Sequence, residues 1–170
     1  ATALKLTLKD VKIDVSDTGD FATSGKAALS VQGKGNVEIE LDGDNELKSG
    51  ADRAGLEKNT SDSTGTLTLK DDNKEAGSGS LNAEGGALSA GIGACYEEGT
   101  KNIIITGGTV TATGGDGGAG IGGGSDGRNS DSNGKNITIT GSTVTAKGGN
   151  GSAGIGGGVG GSGESITITG

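Results

Sequence analysis

Around Gly141 the chain reads NITITGSTVTAK, and apolar and polar positions alternate on both sides of the glycine. Ile137, Ile139, Val144 and Ala146 take one face, and Thr138, Thr140, Thr143 and Thr145 the other. A period of two carried by β-branched residues is a strand pattern and does not fit a helix. The same pattern stands upstream as NIIITGGTVTATGG from Asn102, and SITITG follows at Ser165. With fewer glycines it persists as NVEIEL at Asn36 and LTLKDD at Leu67. A second phrase keeps the same frame, with small residues before a branched one. It occurs as Ala27-Ala28-Leu29, Ala54-Gly55-Leu56, Ala90-Gly91-Ile92, Ala119-Gly120-Ile121 and Ala153-Gly154-Ile155.

Each unit therefore predicts three short strands, of the types ITIT, TVTA and AGIGG, joined by glycine or polar turns. One unit alone cannot bury its apolar row; stacked units bury it against their neighbours. The expected fold is an all-β, right-handed parallel β-helix of about five to six coils. Each coil rises about 4.8 Å, the ordinary strand spacing, and the hand follows the rule for parallel crossovers. Two inward columns are expected. Ile168, Ile139, Ile105, Leu69 and Ile39 lead back to Leu8, and Ile155, Ile121, Ile92 and Leu56 lead back to Leu29. In AGIGGG, alternation sends Ala119, Ile121 and Gly123 inward and Gly120 and Gly122 outward. Cys95 aligns with Gly124 and reads as one more small residue in the stack.

Composition narrows this picture without changing it. The 170 residues form one domain, acidic over 1–85 and rich in glycine and threonine over 86–170, with the possibility that they belong to a longer chain. Glycine supplies 39 residues, and proline, methionine, tryptophan and histidine are absent. Phe21 and Tyr96 are the only aromatics, so the core must be narrow and aliphatic. The net charge of −8 argues against nucleic acid, whose phosphates need a basic surface. No apolar run approaches the length of a membrane span. SITITG stops one strand into a new coil, which predicts that Ser165–Thr169 pairs with a flanking segment or stacks end to end on a neighbouring chain.

Several chemistries fail on their own motifs. Gly118, Gly120 and Gly123 satisfy G-x-G-x-x-G, but no helix follows to receive a pyrophosphate. The calcium-binding nonapeptide lacks its aspartate, because Ala119 and Ala153 stand there. Without histidine, histidine-based acid–base catalysis and triads are excluded. An enzyme would have to use carboxylates, or a basic residue with calcium; Arg53 near Asp42, Asp44 and Asp52 is the conceivable constellation, and Arg128 is the other arginine. Thr109, Thr111, Thr143 and Thr145 form T-x-T strands of the kind that could order water as an ice-binding face.

The stretch SGKAALSVQGKGNVEIELDGDNELKSGADRAGLEKN, followed by GGTVTATGGDGGAGIGGG repeats, resembles a carbohydrate-binding β-helix family secreted by clostridia and related gut and cellulolytic bacteria. The resemblance extends from about Leu4 to Gly170. It implies a pectate-lyase-like fold, an extracellular or cell-surface location, calcium, and adhesion to polysaccharide without cleavage. The expected function is therefore a non-catalytic module for plant cell-wall or other acidic glycans, with a polyuronate lyase or hydrolase, or a structural or ice-binding solenoid, as alternatives. The chain departs from many sugar binders in its near-total lack of aromatics.

A metal site is expected from the strand frame. Aligning Leu6 and Leu8 with Val37 and Ile39, and with Leu67 and Leu69, places Asp10, Asp42, Asp71 and Asp72 at successive corners. Asp44 and Asp52 lie in adjoining turns, with Asp44 the fifth candidate ligand. Carboxylates one rung apart repel unless they share a cation, and an oxygen-only set suits calcium.

Overall fold

The computed structural model describes residues 2–20, 22–73, 79–127 and 131–170. One winding comprises β1 (Leu4–Lys9), β2 (Lys12–Asp14) and β3 (Leu29–Ser30). The next contains β4 (Val37–Lys48), which runs through two faces, and β5 (Leu56–Glu57). It is followed by β6 (Leu67–Lys70), β7 (Gly79–Glu84) and β8 (Ile92–Gly93), and then by β9 (Thr100–Ile105), β10 (Thr109–Thr113) and β11 (Ile121–Gly122). Last come β12 (Gly134–Thr140), β13 (Thr143–Lys147), β14 (Ile155–Gly156) and β15 (Gly163–Thr169).

Every pairing between these strands is parallel. The first face stacks β1, β4, β6, β9, β12 and β15; the second stacks β2, the far half of β4, β7, β10 and β13; the third stacks β3, β5, β8, β11 and β14. The protein is thus an all-β parallel solenoid with three strands per winding, as the alternation required, and the described residues contain no helix.

The third-face frame is the one read from the sequence, with Leu29, Leu56, Ile92, Ile121 and Ile155 in one register. On the first face Ile39, Leu69, Ile105, Ile139 and Ile168 form a column. Its other end is Leu6, not Leu8: Leu6 pairs with Ile39, and Leu8 pairs with Leu41. The two-residue offset arises because β4 continues through the corner and buries Leu41 completely, so Leu8 has an inward partner of its own. The corner is turned two residues after this pair, by Asp10 at φ 51° and Gly43 at φ 64°.

Two polar devices hold the corners. Asn102, Asn136 and Ser165 adopt left-handed φ values of 60°, 52° and 54° at the entry to the first face. Asparagine tolerates that region better than most residues. The Asn136 amide donates to Asn102 Oδ1 at 3.1 Å, and the Asn102 amide donates to the Thr64 carbonyl at 3.3 Å. At the next corner Asn45 points into the core and is fully employed. Its Nδ2 donates to the carbonyls of Leu8, Asp42 and Ser80, and its Oδ1 accepts from Val11 N–H.

Gly120 and Gly122 do not face solvent; both are buried. The loop between the second and third faces folds back on the strands, so a Cβ on Gly120 would come within 2.6 Å of Lys147 N and Gly154 O. Gly122 holds φ 146° directly against the Gly156 carbonyl. At the far end of the stack Ile168 is 60% exposed, and at the near end Leu4 is 67% exposed.

Candidate functional site

Loops that join the second face to the third lie on top of one another. Asp52 N–H donates to the Ala87 carbonyl at 3.0 Å, and Leu88 N–H to the Asp116 carbonyl at 2.9 Å. In later windings the left-handed position of this loop is Gly117 (φ 78°) and Gly151 (φ 74°). In earlier ones it is Asp52 (φ 61°) and Leu88 (φ 65°). Leucine pays a steric cost there that glycine does not, yet only a side-chain-bearing residue gives the corner a wall.

That wall encloses a pocket of about 300 Å³ lined, among the described residues, by Asp20, Ala51, Asp52, Ala87, Leu88 and Tyr96. Tyr96 arrives from the loop after the third face and donates its N–H to the Asp52 carbonyl at 3.4 Å. Asp20 Oδ1 accepts from Ala22 N–H, Thr23 N–H and the Thr23 hydroxyl at 2.8–3.0 Å. Those donors, the Ala22 N–H first, hold its carboxyl below the usual aspartate range. Ser24 Oγ donates to Asp52 Oδ2 at 3.3 Å. The described lining is thus two carboxylates set in apolar surface, with no lysine or arginine. Farther along the same loop stack is a shallower hollow of about 370 Å³, lined by residues of the Thr113–Asp116 and Lys147–Asn150 segments. There the Asn150 amide donates to Asp116 Oδ1 at 2.7 Å.

The acids singled out from the sequence occupy a different corner, on the first two faces, and the offset of β1 alters their partners. Lys9, not Asp10, stacks on Asp42, with Lys9 Nζ 3.1 Å from Asp42 Oδ2. Lys70 Nζ lies 2.6 Å from Asp72 Oδ2 and 3.4 Å from Glu38 Oε2. Asp10 Oδ1 accepts from Asp44 N–H at 3.0 Å, and Asp44 Oδ1 accepts from Ser80 Oγ at 2.8 Å. Asp71 accepts from the N–H groups of Asn73 and Gly79. Among the described residues no three His, Cys, Asp or Glu side chains gather as a metal-binding group. Asp42 and Asp72 are engaged by lysine and the other three by local donors, so this arrangement does not fit a shared cation without rearrangement. The T-x-T array covers β10 and β13 only, since Thr111 stacks on Asn82 and Thr113 on Glu84.

Arg53 does not face Asp42 or Asp44. Its guanidinium lies 2.6 Å from Oε1 of Glu57, a fully buried residue four positions on. Desolvation pushes the Glu57 carboxyl up, and Arg53 partly opposes that shift. Arg128 lies outside the described residues. Cys95 sits beneath Gly124, as the repeat frame predicts, and burial, then Glu57, push its thiol up to about 12, far from a thiolate at neutral pH.

Lys58, next to Glu57, is a second buried ionisable group with no signal in the strand alternation. It is 1% exposed, and its ammonium donates to the carbonyls of Lys101 at 2.8 Å and Ser63 at 3.4 Å. Desolvation first, and Lys101 second, lower its pKa from 10.5 to about 8. Because the folded value is depressed, the unfolded chain binds the proton more tightly between pH 8 and 10.5, so this residue makes stability rise with pH across that window. The penalty below pH 8 is on the order of 3 kcal/mol. A Lys58→Met variant is expected to melt higher at pH 7 and to lose this rise, as measured by thermal denaturation at pH 7, 9 and 10.5.

Residues 103–125 and 137–159 match a family model described as a beta helix repeat. These two stretches cover β10, β11, β13 and β14, the second half of β9 and most of β12. No curated protein matches the chain, and no solved structure does. The repeat match falls on the later windings and agrees with the stacked parallel strands, which make the described residues a parallel β-solenoid.

Proposed function

We propose that this solenoid is a non-catalytic polysaccharide-binding module working outside a bacterial cell. The observation that carries the reading is the alignment of two concavities along one corner, from Asp20, Asp52 and Tyr96 to Asp116 and Asn150. Successive loops on that line are one strand spacing apart, which suits an extended polymer better than a single small molecule. Tyr96 and Leu88 offer apolar surface to the carbon face of a sugar ring, and the aspartates accept its hydroxyl hydrogens. The resemblance to secreted adhesion modules supports the same reading.

The lyase alternative loses support from the Arg53–Glu57 pair. An arginine tied to a buried carboxylate is poorly placed to act as a base beside Asp42 and Asp44. Calcium would enter at Asp10 and Asp44 only if they exchanged their present donors, Asp44 N–H and Ser80 Oγ, for the ion; it would then bridge to glycan hydroxyls or carboxylates.

Affinity electrophoresis through gels containing pectin, cellulose derivatives or chitosan tests the proposal. Retarded migration is expected in at least one gel, without release of reducing ends or unsaturated products. If calcium assists, chelator will lessen the retardation. Product release in proportion to protein, lost in Arg53→Ala, would overturn the reading in favour of an enzyme.

A further inference from the structure

Among its described residues, the pocket between the two loop families carries charge of one sign. Its described lining holds Asp20 and Asp52 and no basic side chain, while the rest is Ala51, Ala87, Leu88 and Tyr96. Asp20 remains ionised at neutral pH, because the hydrogen bonds that its Oδ1 accepts from Ala22 and Thr23 hold its carboxyl below the ordinary range. Of the two arginines, Arg53 is committed to Glu57, and Arg128 lies outside the described residues. A uronate ring brought here would meet carboxylates, and the chain's net charge of −8 adds to the repulsion. A neutral ring would find acceptors for its hydroxyls. A ring bearing an ammonium group would find those acceptors, a charge-assisted pair with Asp52 or Asp20, and an aromatic face for the cation.

We propose that this pocket binds an amino sugar with a free amine, one residue of a cationic glycan. Its volume of about 300 Å³ is at the lower end for small-molecule sites, which fits one ring better than several. Leu88 supports the assignment. It holds the left-handed conformation that glycine holds in later windings, and its side chain closes the apolar wall. The inference rests on the polysaccharide-binding reading and specifies which class of sugar it favours.

The test is isothermal titration of the full chain with three probes: the tetramer of glucosamine, the tetramer of N-acetylglucosamine, and trigalacturonate. Wild type should bind the deacetylated tetramer at least about tenfold more tightly than the acetylated one. Asp52→Asn and Tyr96→Ala should each weaken it about fivefold or more, while Asp72→Asn on another corner should leave it unchanged. Circular dichroism confirms that each variant is folded. Because Asp52 occupies a left-handed position that asparagine also tolerates, Asp52→Asn keeps the loop intact. The inference is overturned if acetylation makes no difference, or if neither pocket variant weakens binding. It is overturned equally if a tetralysine peptide competes at comparable affinity, since the occupant is then a peptide cation. If trigalacturonate binds and the glucosamine tetramer does not, this pocket assignment fails while the binding-module reading stands. If no glycan binds, both fail.

Discussion

An Ile105→Asp variant is expected to be unfolded at room temperature, whereas Ile104→Asp remains folded. The two positions are adjacent on β9 but face opposite ways. Ile105 is fully buried and pairs with Leu69 on one side and Ile139 on the other. Ile104 lies outward between Thr68 and Thr138 and is half-buried. Removing the isoleucine side chain alone costs about 2–5 kcal/mol. A carboxylate in its place adds several more, because the aliphatic column offers it no partner. That sum exceeds the stability of about 5–15 kcal/mol available to most domains, or nearly so. Far-ultraviolet circular dichroism and a urea titration of both variants decide the matter. Equal stability of the two would mean that the inward register of the first face is wrong.

A Gly122→Ala variant is expected to lose about 3 kcal/mol or more, although the change adds one methyl group. Gly122 is buried at φ 146°, a conformation that alanine rarely adopts, and its Cβ would run into the Gly156 carbonyl of the next winding. Backbone strain of this kind costs about 1–3 kcal/mol, and over-packing adds about 1–3 kcal/mol. Gly33 is the control. It also has positive φ, but a Cβ there meets nothing within 4 Å. Gly33→Ala should therefore cost only the conformational part. Similar urea midpoints for the two variants would show that close stacking at Gly122 does not limit stability. The same column carries Ser30 and Glu57 in the first windings, which have no left-handed φ, so glycine is demanded only where the chain folds closely over the strand.

These expectations follow from columns that were legible before any coordinates. Period-two alternation assigns Ile139 and Val144 to one face whatever the surroundings, because successive strand side chains point opposite ways. Repetition then stacks like on like. The spaced Ala-x-branched phrases therefore landed in register across the third face, despite intervening loops of different lengths. The start of the chain was less legible. Nothing in LKLTLKD distinguishes Leu6 from Leu8 as the partner of Ile39, since both have the same parity. The choice depends on where the corner bends, and so on Asp10, Gly43 and the buried Leu41 of the next winding.

The candidate site was hidden for a related reason. Asp20, Asp52, Leu88 and Tyr96 lie on separate loops, and composition does not say which loops meet. Only the stacking of one corner against another encloses the pocket. Lys58 reads as a surface residue by type, but it occupies the place in the winding that Val31 and Ala94 hold in the neighbouring ones, and the fold closes over it. By itself, the sequence determined the solenoid, its three-strand winding and its aliphatic columns, because these rest on local alternation and on repetition. The tertiary structure alone decided the offset of the first strand, the pairing of Lys9 and Lys70 with the acids, and the carboxylate-lined pocket. Each of those depends on contacts between windings, where a shift of two residues preserves the alternation but changes every partner.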